Sequence, residues 1–196
     1  MKARFVFAVL PMLVCAPALR AQNADAQSRA TAQARIDAAL ETALGAGIPV
    51  ELLQSRIAEG RAKGVAEARI AAAVEARLKG LQRAAAAMER TNVDHAGAAD
   101  LAVAADALAA GVSENALIKL SNSAPTERRA VAIATLTGLV QLGHASEQAL
   151  ARVSAVVRSN AELARLNADV ASRLQAGGRA AGAAAGLNAG ANIRIR

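Results

Sequence analysis

From Ala66 to Thr91 the chain reads AEARIAAAVEARLKGLQRAAAAMERT. Nearly every residue in this stretch is a good helix former, alanine most of all. Placed about 100° apart, Ile70, Val74, Leu78, Leu81 and Met88 fall within about 80° of arc, so one face is apolar along its whole length. Arg69, Lys79, Arg83 and Arg90 gather on the opposite side. The stretch predicts an amphipathic helix whose apolar stripe has to be covered by other helices.

The residues ahead of it show how such helices are punctuated. Gly64-Val65-Ala66-Glu67-Ala68-Arg69-Ile70 places a glycine, a β-branched residue, a cap-like position, an acid and then an apolar residue. The pattern recurs as Gly47-Ile48-Pro49-Val50-Glu51-Leu52 and Gly111-Val112-Ser113-Glu114-Asn115-Ala116-Leu117, and more weakly from Gly143 to Leu150. Its physical content is a helix stop, a hydrophobic residue that pins the turn, and a new start with an acid at the positive end of the helix dipole. The four starts are 17, 47 and 32 residues apart. Multiples near 16 suggest short helical hairpins without a clean solenoid repeat.

Further helices are expected over 25–44, with Ile36, Leu40 and Leu44 as its stripe, over 49–63 and over 98–110. Others follow over 113–120, over 125–142 with Val131, Leu136, Leu139, Val140 and Leu142 as the apolar set, from Ser146 through 157, and from Asn160 through 174. Pro49 and Pro125 stand where helices begin, where a missing N–H costs nothing. No alternating stretch is long enough for a sheet. The predicted fold is all-α: seven or eight short Ala-rich helices arranged as helical hairpins in one bundle or curved array.

Residues 1–21 read as a secretory signal peptide. Lys2 and Arg4 form the positive start, and Phe5–Cys15 is an apolar run broken only by Pro11. Ala16-Pro17-Ala18 and Leu19-Arg20-Ala21 offer cleavage points. The 11-residue run is short for a membrane anchor, which needs roughly 20 residues. Val14 ahead of Cys15 stands where lipid attachment wants a small residue. The expected organisation is a cleaved leader (1–21), a helical domain (22–176) and a flexible Ala/Gly-rich basic tail (177–196). The expected location is exported, periplasmic or extracellular, with no transmembrane span in the mature chain.

Composition then narrows the chemistry. Of 196 residues, 56 are alanine, and Phe5, Phe7 and Cys15 are the only aromatic and thiol residues. All three leave with the leader, so the mature chain forms no disulfide, has no thiol nucleophile, and cannot stack a base or sugar on an aromatic ring. Removal of Lys2, Arg4 and Arg20 lowers the formal charge from +7 to 20 basic against 16 acidic residues. The body, 22–176, holds 17 basic and 16 acidic residues, so the basic character belongs to the leader and the tail. The core is expected to be thin. From residue 22 onward there are 18 Leu, 12 Val, 8 Ile and 1 Met, and each buried methyl contributes only about 0.8 kcal/mol.

Catalytic motifs are absent from the sequence. His95 and His144 lie 49 residues apart, and neither has a second ligand at metal spacing. Asp94, His95 and Asp100 read as turn chemistry more readily than as an acid–base site. No G-x-S-x-G elbow or phosphate loop appears. Ser113 and Ser146 read as helix caps, and Glu67 and Glu75 as surface ion-pair formers. No metal, cofactor or catalytic residue is expected. Residues 54–77 have the outline of a helix-turn-helix, and Arg56–Arg90 holds eight basic and four acidic residues. Interleaved glutamates and the export signal argue against nucleic acid as a partner. A basic surface formed by Arg69, Lys79, Arg83, Arg90, Arg179, Arg194 and Arg196 would instead suit an anionic envelope polymer or lipid headgroup.

The leader, the Ala-rich helices and the run Gly47-Ile48-Pro49, Glu59-Gly60-Arg61-Ala62-Lys63-Gly64-Val65, Arg69-Ile70 and Ala73-Val74 resemble a group of secreted, Ala-rich, all-helical bacterial proteins of unknown function. The resemblance spans Ala38–Val157 and implies no activity, and the tail departs from that group in lacking proline-rich character. The functional expectation is a non-enzymatic interaction or scaffold module, with a protein partner or a second copy of itself. The alternative is an envelope polyanion or anionic-lipid binder that uses the basic helix face and tail.

Overall fold

The computed structural model describes residues 16–92 and 96–191. They form eight helices: α1 (Ala16–Gly45), α2 (Glu51–Ala62), α3 (Glu67–Met88), α4 (Ala98–Ala109), α5 (Glu114–Ser123), α6 (Thr126–Gln141), α7 (Ser146–Val156) and α8 (Asn160–Ala191). Among the described residues there is no strand. No described helix is long and apolar enough to cross a membrane.

Four of these helices end in the same way. Gly47, Gly64, Gly111 and Gly143 take φ of 66°, 66°, 92° and 92°, and among the described residues no other residue has positive φ. In each case the glycine N–H bonds back three residues and the following N–H bonds back five: Ile48 to Ala43 O, Val65 to Gly60 O, Val112 to Ala107 O and His144 to Leu139 O. This is the Schellman closure, and only glycine adopts the left-handed backbone without a Cβ penalty. The repeated glycine signature in the sequence is therefore a repeated helix stop. Its weaker fourth copy differs because His144 stands where the others carry Ile48, Val65 or Val112.

The stops set the packing. α1 packs on α3, α3 on α4, α4 on α6 and α6 on α8, while α2, α5 and α7 return the chain between them. Arg35 of α1 meets Glu75 of α3 at 2.6 Å. Thr31 and Ala32 lie near Ala68, and Ala38 and Thr42 near Leu78 and Gln82, so these two helices run parallel. Thr135 Oγ1 of α6 donates to Asn167 Oδ1 of α8 at 3.1 Å, and Gly138 faces Val170. α6 and α8 are therefore parallel too, 32 residues out of phase in both contacts. The successive hairpins α4–α5 and α6–α7 are tied at their turns, where Ser113 N donates to Ser146 Oγ at 3.2 Å. The array is thus a stack of helical hairpins with alanine at its interfaces: 13 of the 35 buried apolar residues are alanine, which allows close helix approach.

Most of the expected apolar faces are buried. Ile70, Val74, Leu78, Leu81 and Met88 are all core. Two positions differ. Leu44 is 65% exposed and Val131 is 41% exposed. In α1 the buried stripe is Ala32, Ile36, Ala39 and Ala43, so small residues rather than Leu44 face α3. Three local readings also change. Ser146 is not a cap: Ala145 holds that position, and the serine hydroxyl bridges to the neighbouring turn. Asn160 is the first residue of α8, and Ser159 Oγ accepts from Glu162 N at 3.4 Å in its place. The segment read as a tail from Gly177 continues α8 as helical backbone to Ala191, as alanine's propensity favours. Of the expected leader, residues 1–15 lie outside the described residues, and 16–21 begin α1.

Among the described residues one ion pair is buried. Arg129 Nη1 donates to Asp100 Oδ2 at 2.9 Å, with side-chain exposures of 4% and 10%. Arg129 Nη2 also donates to Thr126 Oγ1 at 3.0 Å, while its Nε finds no protein partner. Asp100 stands in the first turn of α4, where the helix dipole favours a carboxylate. The pair fixes the start of α4 against the start of α6. Asp100→Ala, which strands the guanidinium, is expected to cost about 3–5 kcal/mol, whereas the Asp100→Leu/Arg129→Met double variant recovers most of that loss. Urea unfolding followed by far-ultraviolet circular dichroism measures both.

A second constraint sits at Gly138, where an added Cβ would collide with Val170 Cγ1. Gly138→Ala is expected to cost about 1–3 kcal/mol through overpacking. In combination with Val170→Ala the loss falls short of the sum of the two single losses, because the second change vacates the clash. The same unfolding measurement gives the coupling.

Candidate functional site

An open groove of about 480 Å³ lies between the C-terminal end of α2, the first half of α3 and the C-terminal end of α4. Small residues make its floor: Ala73, Ala76 and Gly80 of α3, Ala105 of α4 and Gly60 of α2, with Ile70 at one end. The narrow α2–α3 contact requires one of these, since a Cβ on Gly60 would lie 2.8 Å from Ile70 Cγ1. Val65, 37% exposed, projects at the end where α3 begins.

Charge rims this floor unevenly. Lys63 Nζ and Arg56 Nη1 share one carboxylate, Glu59, at 2.6 and 2.9 Å. Arg77 Nη1 donates to Asp106 Oδ1 at 2.5 Å. Arg69 meets no carboxylate within ion-pairing distance among the described residues. Four cations thus stand over two carboxylates. Lys63, and after it Arg56, hold the Glu59 carboxyl below the usual carboxylate range by hydrogen bonding. The groove can seat an apolar surface of low relief that carries negative charge. It brings no nucleophile or acid–base pair together.

The residues expected to form one basic surface are divided. Arg69 stands on the groove rim. Lys79 turns to a separate cleft between α1 and α3, beside Arg35 and Glu75. Arg83 and Arg90 both converge on Glu114 of α5, at 4.0 and 2.5 Å. Arg179 belongs to α8, and Arg194 and Arg196 lie outside the described residues. Arg69, Lys79 and Arg83 belong to α3 and Arg90 to the turn just after it, but periodicity could not show which neighbouring helix supplies an acid. The groove's other cations, Arg56, Lys63 and Arg77, escaped that grouping because two of them come from α2.

The residues weighed for chemistry fall elsewhere. Asp94 and His95 lie outside the described residues. Asp100 is committed to the buried pair with Arg129. His144 Nε2 lies 3.4 Å from Arg152 Nη1. Among the described residues, no three His, Cys, Asp or Glu side chains are placed to hold a metal ion. Glu67 and Glu75 pair with Arg61 and Arg35 at 3.1 and 2.6 Å, as their surface positions suggested. Ser113 caps α5 by accepting from Ala116 N at 3.2 Å. Comparison with protein-family models, with characterised proteins and with solved structures returns no match. The resemblance to secreted Ala-rich proteins rests on the residues quoted for it.

The paired glutamates give a pH dependence. Glu59 is lowered by Lys63 and Arg56, and Glu75 by its hydrogen bond from Arg35. Carboxyls depressed in the folded state contribute stability that is complete above their unfolded value of about 4.3 and is lost as pH falls through the lower folded values. The urea midpoint is therefore expected to drop on acidification below that value. The Glu59→Gln/Glu75→Gln variant has a flatter profile over the same range, and denaturation at stepped pH checks the difference.

Proposed function

We propose that this chain is an exported, non-enzymatic interaction module that binds a protein partner through the α2–α3–α4 groove. The observation that carries this reading is the pairing of an apolar, small-residue floor with a rim of excess cations, one of them, Arg69, without an ion-pair partner among the described residues. Helices pack most closely where small residues line the contact, and complementary charge fixes their register. Export rests on the leader-like residues 1–21, and the absence of a catalytic role on the sequence's lack of catalytic motifs.

A surface for anionic envelope polymers or lipids is the second reading. Arg69 and Lys79 favour it, because neither meets a carboxylate within ion-pairing distance among the described residues. Salt separates the two readings, since exposed charge contacts fade with ionic strength while an apolar seat does not. In a capture from envelope extract, the tagged chain is expected to retain a defined protein at high salt, and Ala76→Glu in the groove floor is expected to release it. Recovery of only anionic lipid or polymer, lost at high salt and indifferent to Ala76→Glu, would overturn the groove reading in favour of the basic surface.

A further inference from the structure

The groove has a counterpart on the far side of the same molecule. Ala30, Ala34, Asp37, Glu41 and Leu44 of α1 are all exposed. At about 100° per residue they form one stripe about 80° wide. The buried stripe of α1, which faces α3, lies across the helix from it. This outer stripe is acidic and contributes no cation of its own, and Arg61 of α2 reaches only its edge, donating to Gln33 Oε1 at 2.7 Å. Asp37 Oδ1 accepts from Gln33 at 2.7 Å, and Glu41 meets no cationic group within ion-pairing distance among the described residues. It ends in Leu44, at 65% the most exposed large apolar side chain described.

The two surfaces match in relief, charge and spacing. One is a helix face of alanine with two carboxylates and a terminal leucine. The other is a floor of alanine and glycine under a net excess of cations, with Val65 exposed at one end. Glu41 precedes Leu44 by three residues and Asp37 precedes Glu41 by four, while Arg69 follows Val65 by four. At about 1.5 Å rise per residue, a helix laid antiparallel to α3 sets Leu44 against Val65 and Glu41 beside Arg69. Asp37 then lies above Ala73 and Ala76, between Arg69 and Arg77. Small side chains on both sides allow the backbones to approach.

We propose that copies of this chain assemble head-to-tail, the acidic outer face of α1 in one copy seated in the basic α2–α3–α4 groove of the next. α1 meets α3 on the side of Glu75, Leu78 and Gln82, whereas the groove opens on the side of Ala73, Ala76 and Gly80. The two surfaces therefore face away from each other across the α1–α3 pair. Such a contact is heterologous, so it adds copies in series unless its rotation closes a ring. The proposal rests on the groove being an interaction surface and names a second copy as its occupant.

Analytical ultracentrifugation of the chain as the cell processes it, with interference detection, tests this. The average mass is expected to rise continuously with concentration at low salt and to rise less steeply near about 1 M salt, where the screening length is about 3 Å and the apolar seat acts alone. Arg69→Glu and Glu41→Lys should each weaken association at least about tenfold, because each sets like charges together. An equal mixture of the two variants should associate again, since the groove of one and the α1 face of the other are intact. Circular dichroism confirms that both variants keep their helices. A wild-type chain that stays monomeric, an assembly that survives both substitutions, or a mixture that fails to associate would each overturn the proposal. The groove reading itself stands or falls separately, on loss of a foreign partner with Ala76→Glu.

Discussion

An alanine-rich chain has strong reasons to be helical and few to stop. What divides this one into elements is the small set of glycines with left-handed backbone. At Gly47, Gly64, Gly111 and Gly143 the helix cannot continue, and the next residue's N–H reaches back to a carbonyl five positions earlier. The stop, the reversal and the next start are then one covalently short unit. Everything else depends on where these units fall. The 32-residue interval between Gly111 and Gly143 sets two hairpins in phase, and that phase brings Ser113 to Ser146.

Alanine then determines how the hairpins meet. With so little side-chain volume at the interfaces, helices pack by proximity, and specificity falls to a few points. Gly138 against Val170 is one, because it leaves no room for a methyl group. The buried Asp100–Arg129 pair is another. Its direct contribution to stability is modest once desolvation is counted, but a slipped α4–α6 register would leave a charge buried and unpaired. An Ala-rich stripe alone tolerates slippage, and these contacts do not.

These terms also explain what could be read from the sequence. Helix positions and stops were legible because they are local: propensity, periodicity and glycine turns act within a few residues. The core of α3 was legible because its large apolar residues all share one face. α1 was misread at Leu44, where larger size suggested burial, because its neighbour α3 prefers Ala32, Ala39 and Ala43 at close range. Val131 was misread for the same reason, since α6 has more apolar positions than it has neighbours. The groove was not legible. Ala73, Ala76 and Gly80 look like ordinary helix formers until α2 and α4 are seen to flank them, and a cation's partner is a tertiary fact. Arg69 and Arg83 are both on α3, yet only Arg83 comes within ion-pairing distance of Glu114.

Met88 carries the one sulfur among the described residues, and these include no phenyl, phenol or indole ring and no thiol. It is buried in the core, with Ser121 Oγ 3.5 Å from its Sδ. Oxidants attack accessible thiolates and exposed thioethers first, and here the single susceptible atom lies behind packed helices. Near-ultraviolet light finds no chromophore in the same residues. The packing that hides one methionine therefore leaves the described helices with no exposed sulfur for an oxidant to attack.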